Sequence, residues 1–160
     1  MPSGRIHHFW WKRFRWLALT GAALFALLDL AIGAGFLAGY WLGKYVEPDL
    51  DHRNFTGSEY RAMRELKFIG AILVGYFQPY AYLLPHRHFL SHTPIISTAI
   101  RFVYLFWWVG ILWVKSDNII LLNVMLGIFY GLCMSDTVHW MLDFEKQIKE
   151  KTIWITKILR

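Results

Sequence analysis

Within "PHRHFLSHTP", residues 85–94, His86, His88 and His92 fall inside seven positions, although the whole chain has only seven histidines. Other polar groups also interrupt an otherwise apolar chain: His7 and His8 near its start, Asp49 and Asp51 in "PDLD", and Asp136, His139 and Asp143 in "DTVHWMLD". Imidazoles and carboxylates together make a borderline-to-hard donor set, suited to Zn, Mn or Fe and poor for Cu(I). The spacing i, i+3, i+7 puts Asp136, His139 and Asp143 on one face of a helix. There His139 and Asp143 could grip one ion between them. The donors outnumber what a single tetrahedral ion takes, so two ions sharing a bridging aspartate is a natural arrangement.

The elements that must position these groups follow from the rest of the chain. Its 160 residues are enough for one domain, and they are 56% hydrophobic and 18% aromatic, with nine Trp. As a water-soluble monomer it would expose large apolar patches. The expectation is an integral membrane protein with few spans. The basic start runs into a long apolar stretch without a small-residue cleavage site, which reads as a retained membrane segment rather than a secretory signal. A single cysteine, Cys133, allows no intramolecular disulfide.

Four regions are apolar. In the first, residues 16–46, one straight helix would overshoot a ~30 Å hydrocarbon core. Asp29 lies near its middle, where an acid is costly. A hairpin turning at Asp29 removes the cost and predicts helices over 6–28 and 31–46. The second region, 68–84, is marginal as a span and is interrupted by Gln78-Pro79. Its tyrosines suit a helix lying at a membrane–water interface. The third, 94–114, opens with Thr93 as N-cap and Pro94 as first helical residue. A polar turn at 115–118 leads into the fourth, 119–143, and closes a second hairpin. Residues 144–160 form a basic amphipathic tail suited to a lipid surface. The fold class expected is therefore an all-α membrane protein: two transmembrane helical hairpins and an interfacial helix within residues 1–143, then the tail.

Charge gives this layout an orientation. Nearly every cation falls at the open ends of the two hairpins, and Lys115 alone falls at the turns. Arg101, near the start of its helix, could snorkel back to the basic side. The positive-inside rule makes that side, with both termini, cytoplasmic. Hairpin topology then brings all four groups of His and Asp to the same cytoplasmic end. Each group alone has an ordinary reading: a helix cap, an Asx turn, interfacial histidines. Their convergence is what points to a metal site.

These residues also carry a resemblance. The start "MPSGR" with His7, "PDLD", "HR" at 86–87, "LSH" at 90–92, "PII", Arg101, Tyr104, Asp136, His139 and Asp143 together resemble an uncharacterised bacterial family of metal-binding membrane proteins, prominent in cyanobacteria. That family is distantly similar to the LexA-binding, inner-membrane-associated metal-dependent hydrolases. The resemblance implies His7, Asp49, Asp51, His86, His92, His139 and Asp143 as ligands of one or two divalent ions, zinc first and then manganese or iron. It implies Asp136 as a further ligand or a group supporting one. His8 and His88 fall where other residue types are expected. It also implies a bacterial inner or thylakoid membrane.

Two functions follow as expectations. In a metal-dependent hydrolase of phosphoester or lipid-like substrates, Asp136 would serve as base and Arg87 could hold a phosphate. In a non-catalytic subunit of a larger membrane complex, the metal would clamp helix ends. The expected partners are the lipid bilayer and its anionic headgroups rather than nucleic acid, because topology and anionic lipid account for the net charge of +6.

Overall fold

A computed structural model describes the backbone of residues 4–46, 56–83 and 95–158 and the side chains of 9–46, 56–82 and 95–144. The described residues are helical, without a strand. The helices are α1 (Gly4–Arg13), α2 (Arg15–Leu28), α3 (Leu30–Leu42), α4 (Gly57–Leu66), α5 (Phe68–Leu83), α6 (Ile96–Ser116) and α7 (Ile119–Ile158).

Both expected turns are present. Asp29 is extended between α2 and α3, and its carboxylate accepts from the N–H groups of Ala31 at 2.7 Å and Ile32 at 3.3 Å. That caps two of the orphan donors that open α3. The second turn uses the left-handed Asp117, after which the Asn118 side chain accepts from Ile120 and Leu121 at 3.0 and 3.2 Å. The two turns lie at the same end of the molecule, because Asn123, in the first turns of α7, donates to Asp29 at 2.9 Å.

The centre of the bundle is a seam of small residues between α3 and α7. Gly35, Gly39 and Gly43 repeat every fourth residue, and so do Gly127, Gly131 and Ser135. A Cβ on Gly35 would fall on the Val124 carbonyl, one on Gly39 on the Ile128 carbonyl, and one on Gly131 on the Phe36 carbonyl. Backbones therefore touch along the whole seam, the small-xxx-small packing that lets helices associate without bulky apolar side chains. The register advances together on both helices, so α3 and α7 run in the same direction, away from the turns. Ala22 and Ala26 receive Gly33 in the same manner between α2 and α3.

Several boundaries differ from expectation. The helix expected over 6–28 is interrupted at Phe14, which divides it into α1 and α2. α6 begins at Ile96, two residues later than the Thr93–Pro94 signal, which lies outside the described residues. α7 does not stop at 143 but continues through the expected tail to Ile158, a helix of 40 residues. α4 was not anticipated, although "TGSE" announces it. Thr56 accepts from the N–H of Glu59, whose carboxylate accepts from the N–H of Thr56 at 2.6 Å, a complete capping box. Pro79 sits inside α5 without ending it. Reciprocal bonds hold that segment to α6: the Tyr76 hydroxyl donates to the Tyr104 carbonyl at 2.6 Å, and the Tyr104 hydroxyl donates to the Tyr76 carbonyl at 2.7 Å.

Two helical segments, Ile96–Ser116 and Ile119–Phe144, are long and apolar enough to cross a membrane. α2 and α3 are apolar but shorter, at 14 and 13 residues, because the break at Phe14, the turn at Asp29 and the turns after Leu42 cut the first apolar region into pieces.

Candidate metal centre

At the end of the bundle opposite the turns, an arginine is buried. Arg101 lies on α6, just after its first turn, and is 2% exposed. A charge taken out of water needs partners for its donors. Arg101 has one at each nitrogen. Nη1 donates to the Val46 carbonyl at 2.6 Å, Nε to the Ser97 carbonyl at 3.3 Å, and Nη2 to the Ser97 hydroxyl at 3.3 Å. Nη2 also forms an ion pair with Asp136, another 2% exposed residue. Thr98 donates to the same carboxylate oxygen, Oδ2. Arg101 therefore does not snorkel toward a headgroup layer. Asp136, facing it from α7, offers a buried partner instead, and the guanidinium turns inward.

Three elements meet on this one side chain: the end of α3 through Val46, the start of α6 through Ser97 and Thr98, and the middle of α7 through Asp136. α5 joins them through Phe77 and Tyr80, which pack with Val46 and Leu105. α1 reaches the same end of α3. The Trp11 indole donates to the Tyr40 carbonyl at 3.2 Å, the Tyr40 hydroxyl returns a bond to the Trp11 carbonyl at 2.5 Å, and the rings stack 4.9 Å apart.

One turn beyond Asp136, His139 and Asp143 follow on the same face of α7. His139 Nε2 lies 3.3 Å from Asp143 Oδ2, with the histidine side chain 7% exposed and the carboxylate 19%. Two metal–ligand bonds of ~2.1 Å meeting near the tetrahedral angle put their donor atoms ~3.4 Å apart. The contact is an i, i+4 histidine–carboxylate pair, and its spacing is compatible with two ligands of one ion.

The remaining sequence-predicted positions are distributed as follows. His7 is on the backbone of α1, one turn before Trp11, and its side chain lies outside the described residues. Asp49, Asp51, His86, Arg87 and His92 lie outside them altogether. Among the described residues no group of three His, Cys, Asp or Glu is placed to hold a metal. Sequence reasoning missed the part played by Arg101, together with Ser97 and Thr98. The signal was present: a lone arginine in one apolar helix and a lone aspartate deep in the next.

Residues 2–125 match the family described as "Uncharacterized metal-binding protein (DUF2227)". The chain belongs to this metal-binding family. The matched span contains His7, Asp49, Asp51, His86 and His92 and ends before Asp136, His139 and Asp143. The family's description names no metal, substrate or membrane. No curated protein and no solved structure matches the chain.

Proposed function

We propose that this DUF2227 protein is an integral membrane metal-binding protein, with a His/Asp site at the cytoplasmic end of its helical bundle. The observation that carries the reading is the meeting of helix ends at Arg101 and Asp136. Val46 precedes the Asp49–Asp51 segment by three residues, Ile96 follows the histidine segment, and Asp136 leads into His139 and Asp143. The described elements that flank the candidate ligand segments thus meet at one end of the bundle. The ligands proposed are His7, Asp49, Asp51, His86, His92, His139 and Asp143, holding one or two divalent ions, with zinc the best match to the donors.

Membrane integration is supported by the exposed apolar surface. Only 28% of the apolar stretch of either long helix is buried within the molecule, whereas the core helix of a soluble protein is mostly buried. Leu27, Leu28, Leu30, Val114 and Ile119 all face outward, a surface that suits hydrocarbon and not water.

Of the two uses of the metal, a clamp on helix ends has the stronger support. Asp136, the expected base, is committed to Arg101 and Thr98, which leaves it poorly placed to take a proton from water. Hydrolysis is a second reading, favoured by the partial exposure of Asp143, which leaves a way in from solvent. A bound metal would then acidify a water and polarise a phosphoryl oxygen. Elemental analysis of the detergent-purified protein, prepared without chelators, tests the reading. One or two equivalents of zinc, manganese or iron are expected, lost in His86→Ala, His139→Ala. A wild-type protein without stoichiometric metal overturns it. Metal lost together with the fold selects the clamp. Metal lost with the fold retained selects an open site worth screening for phosphoesterase activity.

A further inference from the structure

We propose that the slot between α6 and α7 holds one acyl tail of a membrane phospholipid. This inference rests on the membrane reading above and is independent of the metal.

The slot exists because α6 meets α7 differently from α3. Along the seam with α3, glycines let the backbones touch. Against α6, large side chains leave a cavity of about 240 Å³. Phe102, Phe106 and Trp113 line it on α6, with Leu122 and Met125 opposite on α7, and the lining is almost wholly apolar. Both ends are stopped. Phe102 meets Phe129 of α7 edge to face at 5.4 Å, and beyond Trp113 the chain turns at Asp117. The side is open. Val103 and Trp107 at the rim are 63% and 57% exposed, and a Cβ added to Gly110 would meet nothing within 4 Å. Trp107 Nε1 donates to the Tyr76 hydroxyl at 3.3 Å, so α5 steadies the rim.

The dimensions select the occupant. Phe102 and Trp113 are eleven residues apart, ~16 Å along a helix. One leaflet of a ~30 Å hydrocarbon core is ~15 Å deep. Spread over that length, the volume gives a section roughly 4 Å across. Carbon atoms in contact sit about 4 Å apart, so the slot takes one methylene chain. A helix of a second copy, ~10 Å across with its side chains, is too wide for it. Water is no better an occupant, because an apolar cavity of this kind stays dry. Trp113 lies about one helical turn from Asp117, so a tail reaching the slot enters from the leaflet on the side of the turns. Lipid tails are as apolar as the lining, so removal from water drives nothing here. Preference for the slot comes from van der Waals contact with walls on two sides, where the open surface offers one.

The test places the full chain in phosphatidylcholine vesicles that include phosphatidylcholine with a photoactivatable diazirine in its tail, and maps the adducts by peptide mass spectrometry. The exposed Leu24, Leu27 and Leu28 of α2 report ordinary contact with lipid. In wild type, adducts on the slot residues are expected to exceed those on α2 several-fold. Gly110→Leu fills the slot and should bring its labelling down to the level of α2. Gly75→Leu puts the same side chain on α5, where an added Cβ also meets nothing within 4 Å, and should keep the wild-type pattern. Slot labelling no higher than that of α2 in wild type overturns the inference, whether or not Gly110→Leu folds, and leaves the membrane reading standing. Undiminished slot labelling in folded Gly110→Leu overturns it too, as does an equal loss in Gly75→Leu. A chain that stays outside the vesicles, with adducts on neither surface, overturns the membrane reading and this inference with it.

Discussion

Glu65 shows how a single side chain joins two elements at the charged end of the bundle. It lies in the last turn of α4 and accepts from Lys44, after α3, and from the Tyr45 hydroxyl at 3.0 Å. The Lys44 ammonium, with help from Tyr45, holds the Glu65 carboxyl at about 2, below its usual 4.5. A carboxylate with a lowered pKa stabilises the fold fully above its unfolded value and loses that contribution as pH falls through the folded one. The Lys44–Glu65 contact should therefore contribute above pH 4.5 and fade toward pH 2. Because the pair is partly exposed, its worth is of the order of exposed ion pairs, about 0.2–1 kcal/mol. Glu65→Gln should lower the thermal midpoint slightly at pH 7 and by less at pH 2, where the carboxyl is about half protonated. An equal effect at both values would show that packing, not charge, is at work. The same scale separates Asp29 from Asp136. Both are acids in apolar stretches, and sequence reasoning assigns the first to a turn correctly because a turn is a local demand. The partner of Asp136 is 35 residues away, a pairing no local pattern announces.

Among the elements, the seam between α3 and α7 organises everything else. Its glycines admit no Cβ, so Gly39→Ala should push the Ile128 carbonyl away and cost about 1–3 kcal/mol, the usual range for overpacking. Gly110, on α6, has nothing within 4 Å of the added atom, and Gly110→Ala should cost nothing measurable. Thermal unfolding of the two variants in one detergent checks the contrast, and equal midpoints would mean that the seam is looser than its backbone contacts require. Much at this scale could be read in the sequence. The two hairpin turns follow from Asp29 and from Lys115–Asn118, since polar residues cannot stay among apolar neighbours unpaired. α4 was written in "TGSE" and passed over beside stronger apolar signals. The seam was harder to see. Gly35 and Gly39 read equally well as a breakable stretch after Asp29, and only the matching Gly127, Gly131 and Ser135 turn them, with Gly43, into a packing face. The break at Phe14 has no marker, since neither glycine nor proline stands there.

At the scale of the molecule, of the four His and Asp groups that the sequence predicts at one end, only the group on α7 lies among the described side chains. Counting cations and turns was enough to send the four His and Asp groups to one end. The described structure brings the ends of α3, α6 and α7 together there, with Asp136, His139 and Asp143 on one face. The missing element was Arg101, because a rule that sends cations to the membrane surface has no place for a cation with a buried acid opposite. The same topology makes a prediction about sidedness. If both turns face away from the cytoplasm, a cysteine at Asp117 should react with a membrane-impermeant maleimide added outside intact cells, in a chain whose Cys133 has been replaced by serine. A cysteine at Lys12 should react only after the membrane is opened. Asn123 bonded to Asp29 ties the two turns to one another, so a cysteine replacing Leu28 should be labelled from the same side as the one at Asp117. Labelling of these two positions from opposite sides would break the hairpin topology, and with it the reason for the ligands to meet. Labelling of both only from inside would keep the topology and invert the protein, placing the Arg101–Asp136 end outside the cytoplasm.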